Sequence, residues 1–482
     1  MRPRVAWALP ALLLTLLLAT AGCLKVGPNY QRPEFAFKTP QNYDQAKNTV
    51  PYEKLDRWWE QFGDPQLNQT VDEVLKNNLD LQATAGKVLE LRASFVQSRA
   101  ARFPTVSVGG TAQRQRSTSS LSLPTTQTIS SEKESYELSL AATFEVDLWG
   151  KLARAEASAR ADLLQAEENR RTVAQTVVAS AVTSYFNIRN LQRRLVVNQS
   201  SIIAYTKSMT FVEGRYRRGL TSALDLRQAR RSLAQAKAAT PTLEQQLGLA
   251  KQDLAVLLGR YPVIKPDPDP GIDYLARMKP VPPGLPSELL LRRPDLKAAE
   301  AGIESLSEKI GVARAARFPS ISLTAGYGYA DSALHTLFSP ANELWNIALG
   351  ISQPIFNAGS LAAQERAARA RYAQGVTSYA KTVLNAFSEV EGALLTKQQQ
   401  DIRRQLLKDA VREAEATQNT AQNRYIHGLQ DYLSVLEAQQ TRYSLADQLV
   451  QNELSVLTNR VTLYRALGGG WAKPPVLAKA EK

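Results

Sequence analysis

Two long stretches without proline constrain most strongly what this 482-residue chain can fold into. One runs from Leu152 to about Val212, and the other runs from Leu361 to about Arg424. Apolar residues recur in them every three or four positions, which places these residues on one face of a helix. A helix of about 60 residues is roughly 90 Å long, whereas globular helices average about a dozen residues. The two stretches therefore predict long helices that pack as in coiled coils.

The chain carries one internal duplication. The segment Arg-Ala-Ala-Arg-Phe-Pro that begins at Arg99 returns at Arg314, and Arg-Tyr-Arg-Arg-Gly-Leu at Arg215 returns as Arg-Tyr-Ile-His-Gly-Leu at Arg424. Because only two copies exist, the repeat indicates duplication within one architecture rather than a solenoid. Each copy is predicted to contain a helix, two strands, a long helix, a turn and a further helix. A proline-rich connector joins the copies.

Four short segments alternate apolar and polar residues, as strands with one apolar face do. They lie at about 104–113, 136–148, 320–329 and 345–353. No segment after the N-terminal apolar run is apolar enough to predict a membrane-spanning helix, so a bilayer crossing would require strands in a closed barrel. Four strands are too few, since the smallest single-chain barrels have about eight. The pattern predicts either a soluble sheet or a barrel shared by several chains.

The N-terminal sequence predicts an export signal. Arg2 and Arg4 precede an apolar run from Val5 to Leu18, which small residues and then Cys23 follow. A basic start, a short apolar core and small residues before a cleavage point are typical of such signals. The placement of the only cysteine resembles a bacterial lipoprotein signal, although Thr20 stands where leucine is usual. We therefore expect a diacylglycerol and an N-acyl chain on Cys23, and no other cofactor.

Composition argues against an enzyme. The chain has two histidines and one cysteine, which leaves little material for a catalytic triad or a zinc site. A nucleotide-binding P-loop motif is absent from the sequence, and no basic tract is interleaved with aromatic residues as in nucleic-acid binders. Three alternatives to a barrel shared by several chains remain: a soluble coiled-coil rod, a periplasmic adaptor and a lipid-anchored enzyme. An adaptor would show one helical hairpin between β segments, whereas this chain shows two helix–strand units.

Several motifs resemble those of the outer-membrane-factor family, the TolC-like or NodT-type efflux channel lipoproteins. They are Val26-Gly-Pro-Asn-Tyr-Gln-Arg-Pro33, Trp58-Trp-Glu-Gln-Phe-Gly-Asp-Pro-Gln-Leu-Asn68, Asn77-Asn-Leu-Asp-Leu81, and the repeated Ala-Arg-Phe-Pro and Arg-Tyr-x-x-Gly segments. The resemblance implies a mainly α fold with a transmembrane β-barrel, in which a homotrimer forms twelve strands, four per chain. The long helices would continue the barrel as a coiled-coil periplasmic tunnel. The tunnel would open on docking a periplasmic adaptor and an inner-membrane efflux pump.

The resemblance also implies which residues form the periplasmic gate, at the helix–turn–helix tips where acidic rings and polar bonds close the tunnel. By position, Glu437 falls at one acidic ring, and Ser434 falls where some members carry a second acid, for which Asp431 is a plausible substitute. Asp225 and Tyr425 fall at positions that hydrogen-bond across neighbouring helices. Gln430 stands where some members have an arginine link, so we expect a weaker tie there.

The two glycines that follow the repeated tyrosines, Gly219 and Gly428, are expected to serve the backbone of the tip turns. At the gate, three carboxylates of Glu437 around a three-fold axis would create a negative potential that favours cations. We expect Glu437→Ala to widen or discharge the constriction.

The sequence thus predicts the passive exit duct of a tripartite efflux system, which conducts drugs and toxic compounds. We expect it in the bacterial outer membrane, in contact with outer-membrane lipid, and not on nucleic acid. The predicted organisation is a signal peptide at 1–22, a lipid-anchored segment at 23–65, the first repeat at 66–261, the connector at 262–287, the second repeat at 288–470 and a tail at 471–482.

Overall fold

The structure is a computed structural model that describes residues 25–34, 37–38, 40–44, 56–122, 126–263, 271–278, 281, 284 and 286–469. The predicted signal peptide, the lipidation site Cys23, the predicted tail and much of the connector lie outside the described residues. Two compact units divide the chain. One consists of Leu89–Gln165 and Ala299–Tyr379 with the segment up to Glu34, and the other contains the remaining residues.

Nine helices and four strands are named here, in chain order. They are α1 Pro65–Asn77, α2 Leu79–Ala100, β1 Thr105–Ser122, β2 Thr126–Val146, α3 Lys151–Arg217, α4 Ala223–Leu257, α5 Tyr274–Arg277, α6 Pro286–Arg292, α7 Pro294–Ala315, β3 Ser320–Asp331, β4 Glu343–Ser352, α8 Ser360–Ile426 and α9 Tyr432–Ala466. The long helices α3 and α8 have 67 residues each. Each begins one residue before its predicted start, and they end five and two residues beyond their predicted ends. None of the described helices is both long and apolar enough to cross a membrane.

The four strands form one antiparallel sheet in the order β1-β2-β3-β4. Its register aligns apolar residues across all four strands, so that Val108 lies opposite Leu140, Leu140 opposite Tyr327, and Tyr327 opposite Trp345. All four side chains are exposed in the single chain. The sheet therefore presents an apolar face that no element of its own chain covers within the described residues.

The first two strands are longer than the sequence pattern predicts. The predicted strands at about 104–113 and 136–148 are wrong in length, because pairing continues to Ser122 and begins again at Thr126. In this outer part the sequence is rich in serine and threonine, and the alternation of apolar and polar residues stops. Backbone hydrogen bonds extend the hairpin there, together with cross-strand ion pairs such as Arg114 with Glu132 at 2.8 Å. A hydrophobicity pattern can detect neither kind of contact.

Within the unit that contains the sheet, the N-terminal segment is held by one buried polar contact and one more exposed ion pair. Arg154 is buried, and its guanidinium donates to Glu308 Oε2 at 2.9 Å and to Asn29 Oδ1 at 3.0 Å. Arg32 forms an ion pair with Glu300 at 2.9 Å. These contacts fix the residues that directly follow the predicted anchor against α3 and α7.

The other unit has an aromatic core at the start of α1. Trp58, Trp59 and Phe62 are buried together, and Trp58 stacks on Tyr464 with ring centroids 5.0 Å apart. Beside them the buried carboxylate of Asp64 caps α1 by accepting from the amide of Gln66. The motif that begins at Trp58 therefore packs the N-terminal part of this unit against α3 and α9.

Candidate functional site

The predicted gate residues lie at two helical hairpin tips, one between α3 and α4 and one between α8 and α9. Each turn contains a glycine in the left-handed region, Gly219 at φ +70° and Gly428 at φ +74°. The following amide in each turn bonds back to the long helix, Leu220 N to Arg215 O at 3.0 Å and Leu429 N to Arg424 O at 2.9 Å. A bond from an amide to the carbonyl five residues earlier is characteristic of the Schellman motif, which ends a helix. Glycine suits the left-handed position of this motif. The repeated Arg-Tyr-x-x-Gly-Leu segments therefore encode two equivalent turns.

The helices that leave the two turns are capped by the same two residue types in exchanged positions. In the first tip, Ser222 caps α4 and accepts from Asp225 N at 3.1 Å, while Asp225 Oδ2 accepts from Ser222 N at 3.2 Å. In the second tip, Asp431 caps α9 and accepts from the amide of Ser434 at 3.1 Å and from its hydroxyl at 2.6 Å. These hydrogen bonds hold the pKa of Asp431 below its usual value. Both acids thus satisfy the first turn of their own helices.

An aromatic cluster joins the two tips, in which Tyr425 and Tyr432 are buried and Phe211 is partly exposed. Tyr425 on α8 packs edge-on against Phe211 on α3 and contacts Tyr432 on α9, with centroids 5.9 Å and 5.6 Å away. The guanidinium carbon of Arg215 lies 5.1 Å from the centre of the Tyr425 ring, which is within cation–π range. Burial raises the pKa of Tyr432, and the nearby charge of Asp225 raises it further. The structure therefore brings Tyr425 into one cluster with Phe211 and Tyr432.

The hydrogen bonds predicted across neighbouring helices do not form inside the described part of the chain. Among the described residues, the carboxylate of Asp225 accepts only from Thr221 and Ser222 of its own hairpin, and both bonds use Oδ2. Tyr425 Oη is buried with no hydrogen-bond partner among the residues that the structure describes. Bonds from these two residues to helices outside the described part of this chain stay a prediction.

The remaining predicted gate residues project from α9 or directly precede it. Glu437 is exposed in the second turn of the helix, and Gln430 is half-buried beside the cap. Sequence reasoning missed two contributors, Ser222 and Arg215. The Ser-x-x-Asp spacing before α4 is a capping-box pattern that could have identified Ser222. No local signal identifies Arg215, because its partner Tyr425 lies in the other repeat. No cluster of three histidine, cysteine or acidic side chains suits a metal within the described ranges.

Comparisons with known proteins agree with this architecture. Residues 70–260 and 285–469 match the family model described as outer membrane efflux protein. The chain is 34% identical over 462 residues to the solvent efflux pump outer membrane protein SrpC of Pseudomonas putida, covering 95% of this chain and 97% of the relative. It is 32% identical over 458 residues to the cation efflux system protein CusC of Escherichia coli K12, and the match covers 94% of this chain and 97% of that relative.

Solved structures give the same result. The outer-membrane channel OprN superposes with a TM-score of 0.85 at 30% identity, and the match covers 93% of this chain and 99% of that one. The structure of CusC superposes with a TM-score of 0.81 at 31% identity, covering 92% and 100%. The predicted mainly helical fold with four strands per chain, the efflux function and the outer-membrane location are confirmed. This chain belongs to the outer membrane efflux protein family.

Proposed function

We propose that three copies of this chain form one gated duct, which passes small molecules outward from an inner-membrane pump by way of a periplasmic adaptor. The observation that carries the proposal is the sheet, whose rows of apolar side chains are exposed and whose outer strands β1 and β4 each have one edge unpaired within the described chain. Exposed edges and an exposed apolar face are both unfavourable in water. Pairing β4 of one copy with β1 of the next would remove the edges and turn the apolar face to lipid.

The two tips are the proposed gate. Their turns, caps and aromatic cluster close the end of each helical hairpin with local bonds, and Glu437 remains exposed without a partner among the described residues. Three such carboxylates around a shared axis would favour cations over anions in a narrow bore. The acids Asp225 and Asp431 take part as helix caps that keep the tips in shape.

Acylation of Cys23 would add a lipid anchor to each copy. The segment from Lys25 onward is fixed by Arg154 and Arg32, so the anchor would be attached close to a rigid part of the protein. An acyl chain anchors a protein to one leaflet and does not span the membrane.

The first test is the mass of the protein extracted from the outer membrane, measured by light scattering with the detergent subtracted. Three chains per particle would support the duct. A folded monomer would contradict it, because four strands close no barrel.

A matched pair of substitutions on β4 tests the membrane face. Leu349 lies on the apolar face, and the adjacent Ala348 lies on the opposite face. Both are exposed in the single chain, so a soluble sheet would tolerate lysine equally at either position. In a barrel, lysine on the lipid face costs up to about 2–4 kcal/mol at mid-depth, whereas a lumen substitution changes selectivity.

We therefore expect Leu349→Lys to lower the yield of outer-membrane trimer strongly. Ala348→Lys should leave the yield unchanged and shift the ion selectivity of single channels. Equal yields from the two variants would contradict the proposed membrane face.

A further inference from the structure

The two tips share a backbone but differ in charge. Residues 213–231 of the first tip contain six arginines and two carboxylates, whereas the aligned residues 422–440 of the second contain one arginine and two carboxylates. The arginines of the first tip are Arg215, Arg217, Arg218, Arg227, Arg230 and Arg231. At the last five of these positions the second tip has Ile426, His427, Leu436, Gln439 and Gln440.

The carboxylates of the first tip do not neutralise its arginines. Glu213 contacts both Arg217 and Arg230, each at 3.2 Å. The carboxylate of Asp225 is engaged in the cap of α4. Arg218, Arg227 and Arg231 are exposed, and none has a carboxylate within 4.0 Å in the part of the chain that the structure describes. A concentrated positive charge therefore remains on this tip.

Apolar side chains are exposed among these arginines. Leu220 is 58% exposed and Leu224 is 63% exposed, and they lie on either side of the cap at Ser222. Arginine beside exposed apolar groups is typical of protein interfaces, where guanidinium groups bind carboxylates in bidentate fashion. Nucleic-acid binding would call for aromatic side chains interleaved with the charges, and among the described residues of this tip Tyr216 is the sole exposed aromatic.

We propose that the first tip, residues 213–231, docks an acidic protein surface: a helix end that presents carboxylates to Arg218, Arg227 and Arg231 and an apolar recess to Leu220 and Leu224. The inference rests on the proposed function, in which a periplasmic adaptor meets the tips. It adds that the contact is charge-selective and that the first tip, not the second, makes the selection. The second tip lacks the arginines and takes the same partner less tightly or not at all.

The test uses the full-length protein in nanodiscs of phosphatidylcholine, which carries no net charge. The probe is a fluorescent synthetic helical peptide with glutamate on one face and leucine on the other. A matched peptide replaces each glutamate by glutamine. We expect the glutamate peptide to bind at low salt, to weaken as salt rises, and to bind at least about tenfold more tightly than the glutamine peptide.

Two charge-matched triple variants identify the surface. The tip variant combines Arg218→Glu, Arg227→Glu and Arg231→Glu. It should bind the glutamate peptide about tenfold or more weakly than the unchanged protein does. The control variant changes the net charge by the same amount at exposed positions away from the turn, and it combines Lys237→Glu, Arg403→Glu and Lys408→Glu. This control should bind within about twofold of the unchanged protein. Leu220→Ser with Leu224→Ser should weaken both peptides and leave the salt dependence unchanged.

Equal losses in the two triple variants would overturn the inference, because binding would then follow net charge alone. If the tip variant lost binding to phosphatidylglycerol vesicles but still bound the glutamate peptide as the unchanged protein does, the docking inference would be overturned in favour of a lipid surface. Trimer mass and channel conductance are measured on the same samples. A normal trimer that does not bind the peptide overturns only the docking inference, whereas a monomer overturns the proposed duct itself.

Discussion

The two hairpin tips have the same backbone conformation but differ in the charge and exposure of their side chains. Each turn places a glycine at positive φ and bonds the next amide to the long helix, and each following helix is capped by one serine and one aspartate. Yet the aligned tyrosines differ, since Tyr425 is 6% exposed and Tyr216 is 43% exposed, and the arginines are concentrated on the first tip. The duplication therefore conserved the physical means of reversing the chain and left the surface free to diverge. The comparison separates the residues that form the turn from the residues that give its surface a charge and an apolar character.

The turn glycines should show the largest effect, and it should be equal in the two tips. A Cβ at Gly219 or Gly428 would meet no atom within 4 Å, so a substitution costs only backbone strain. We expect Gly219→Val and Gly428→Val each to lower the free energy of local opening by about 1–2 kcal/mol, measured by hydrogen exchange at Leu220 and Leu429. Gly214→Ala, within α3, is the control and should stabilise that helix slightly. Unequal losses would show that something besides the backbone braces one turn.

The exchanged caps predict a difference in pH dependence. The pKa of Asp431 is lowered in the folded state, so its cap is fully present above the ordinary aspartate pKa of about 4. Its contribution is lost as pH falls through the lowered folded-state value. Asp431→Asn should retain a cap that does not vary with pH, as reported by hydrogen exchange at Ser434.

The reciprocal exchange in the first tip is the control for the cap. Ser222→Asp combined with Asp225→Ser gives α4 the cap of α9, and we expect the first turn of α4 to stay protected. Fraying of α4 in this double variant would show that the two caps are not equivalent.

The acid of the proposed gate predicts a smaller effect, on ion selectivity. The position aligned with Glu437 is occupied in the first tip by Gln228. We expect Glu437→Gln to lower the cation-to-anion permeability ratio by about twofold or more, read from the reversal potential in a salt gradient across a planar bilayer. Glu244→Gln removes an exposed carboxylate from α4 and should not change this ratio. An unchanged ratio in Glu437→Gln would remove this residue from the gate.

The smallest effect should come from the hydroxyl of Tyr425. Because Oη is buried with no hydrogen-bond partner among the described residues, Tyr425→Phe removes no bond within the chain. We expect the thermal stability of the trimer to change by less than about 0.5 kcal/mol, as with the exposed control Tyr216→Phe. A loss above about 1 kcal/mol would instead support the hydrogen bond to a neighbouring helix that the family resemblance predicts.

The sequence predicted what depends on local patterns. Helical periodicity located α3 and α8 to within a few residues, and alternation located all four strands. The outer part of the β1–β2 hairpin escaped because backbone pairing and cross-strand ion pairs hold it, and neither produces an alternation of apolar and polar residues. At the tips, the repeated glycines could be identified from the motif alone. The contact of Arg215 with Tyr425 could not, because it joins residues 210 positions apart.

The outer hairpin has a practical consequence. Gln113–Ser122 pairs with Thr126–Ser135 and with no other strand of the described chain, so this ribbon extends roughly 33 Å beyond the four-stranded sheet. Neither β3 nor β4 depends on its sequence for register. A peptide tag or a fluorophore can therefore be attached to the ribbon while the rest of the sheet keeps its pairing. In the proposed duct, whose helices lie in the periplasm, such a label would let the arrival of each new copy at the cell surface be followed by microscopy in living bacteria.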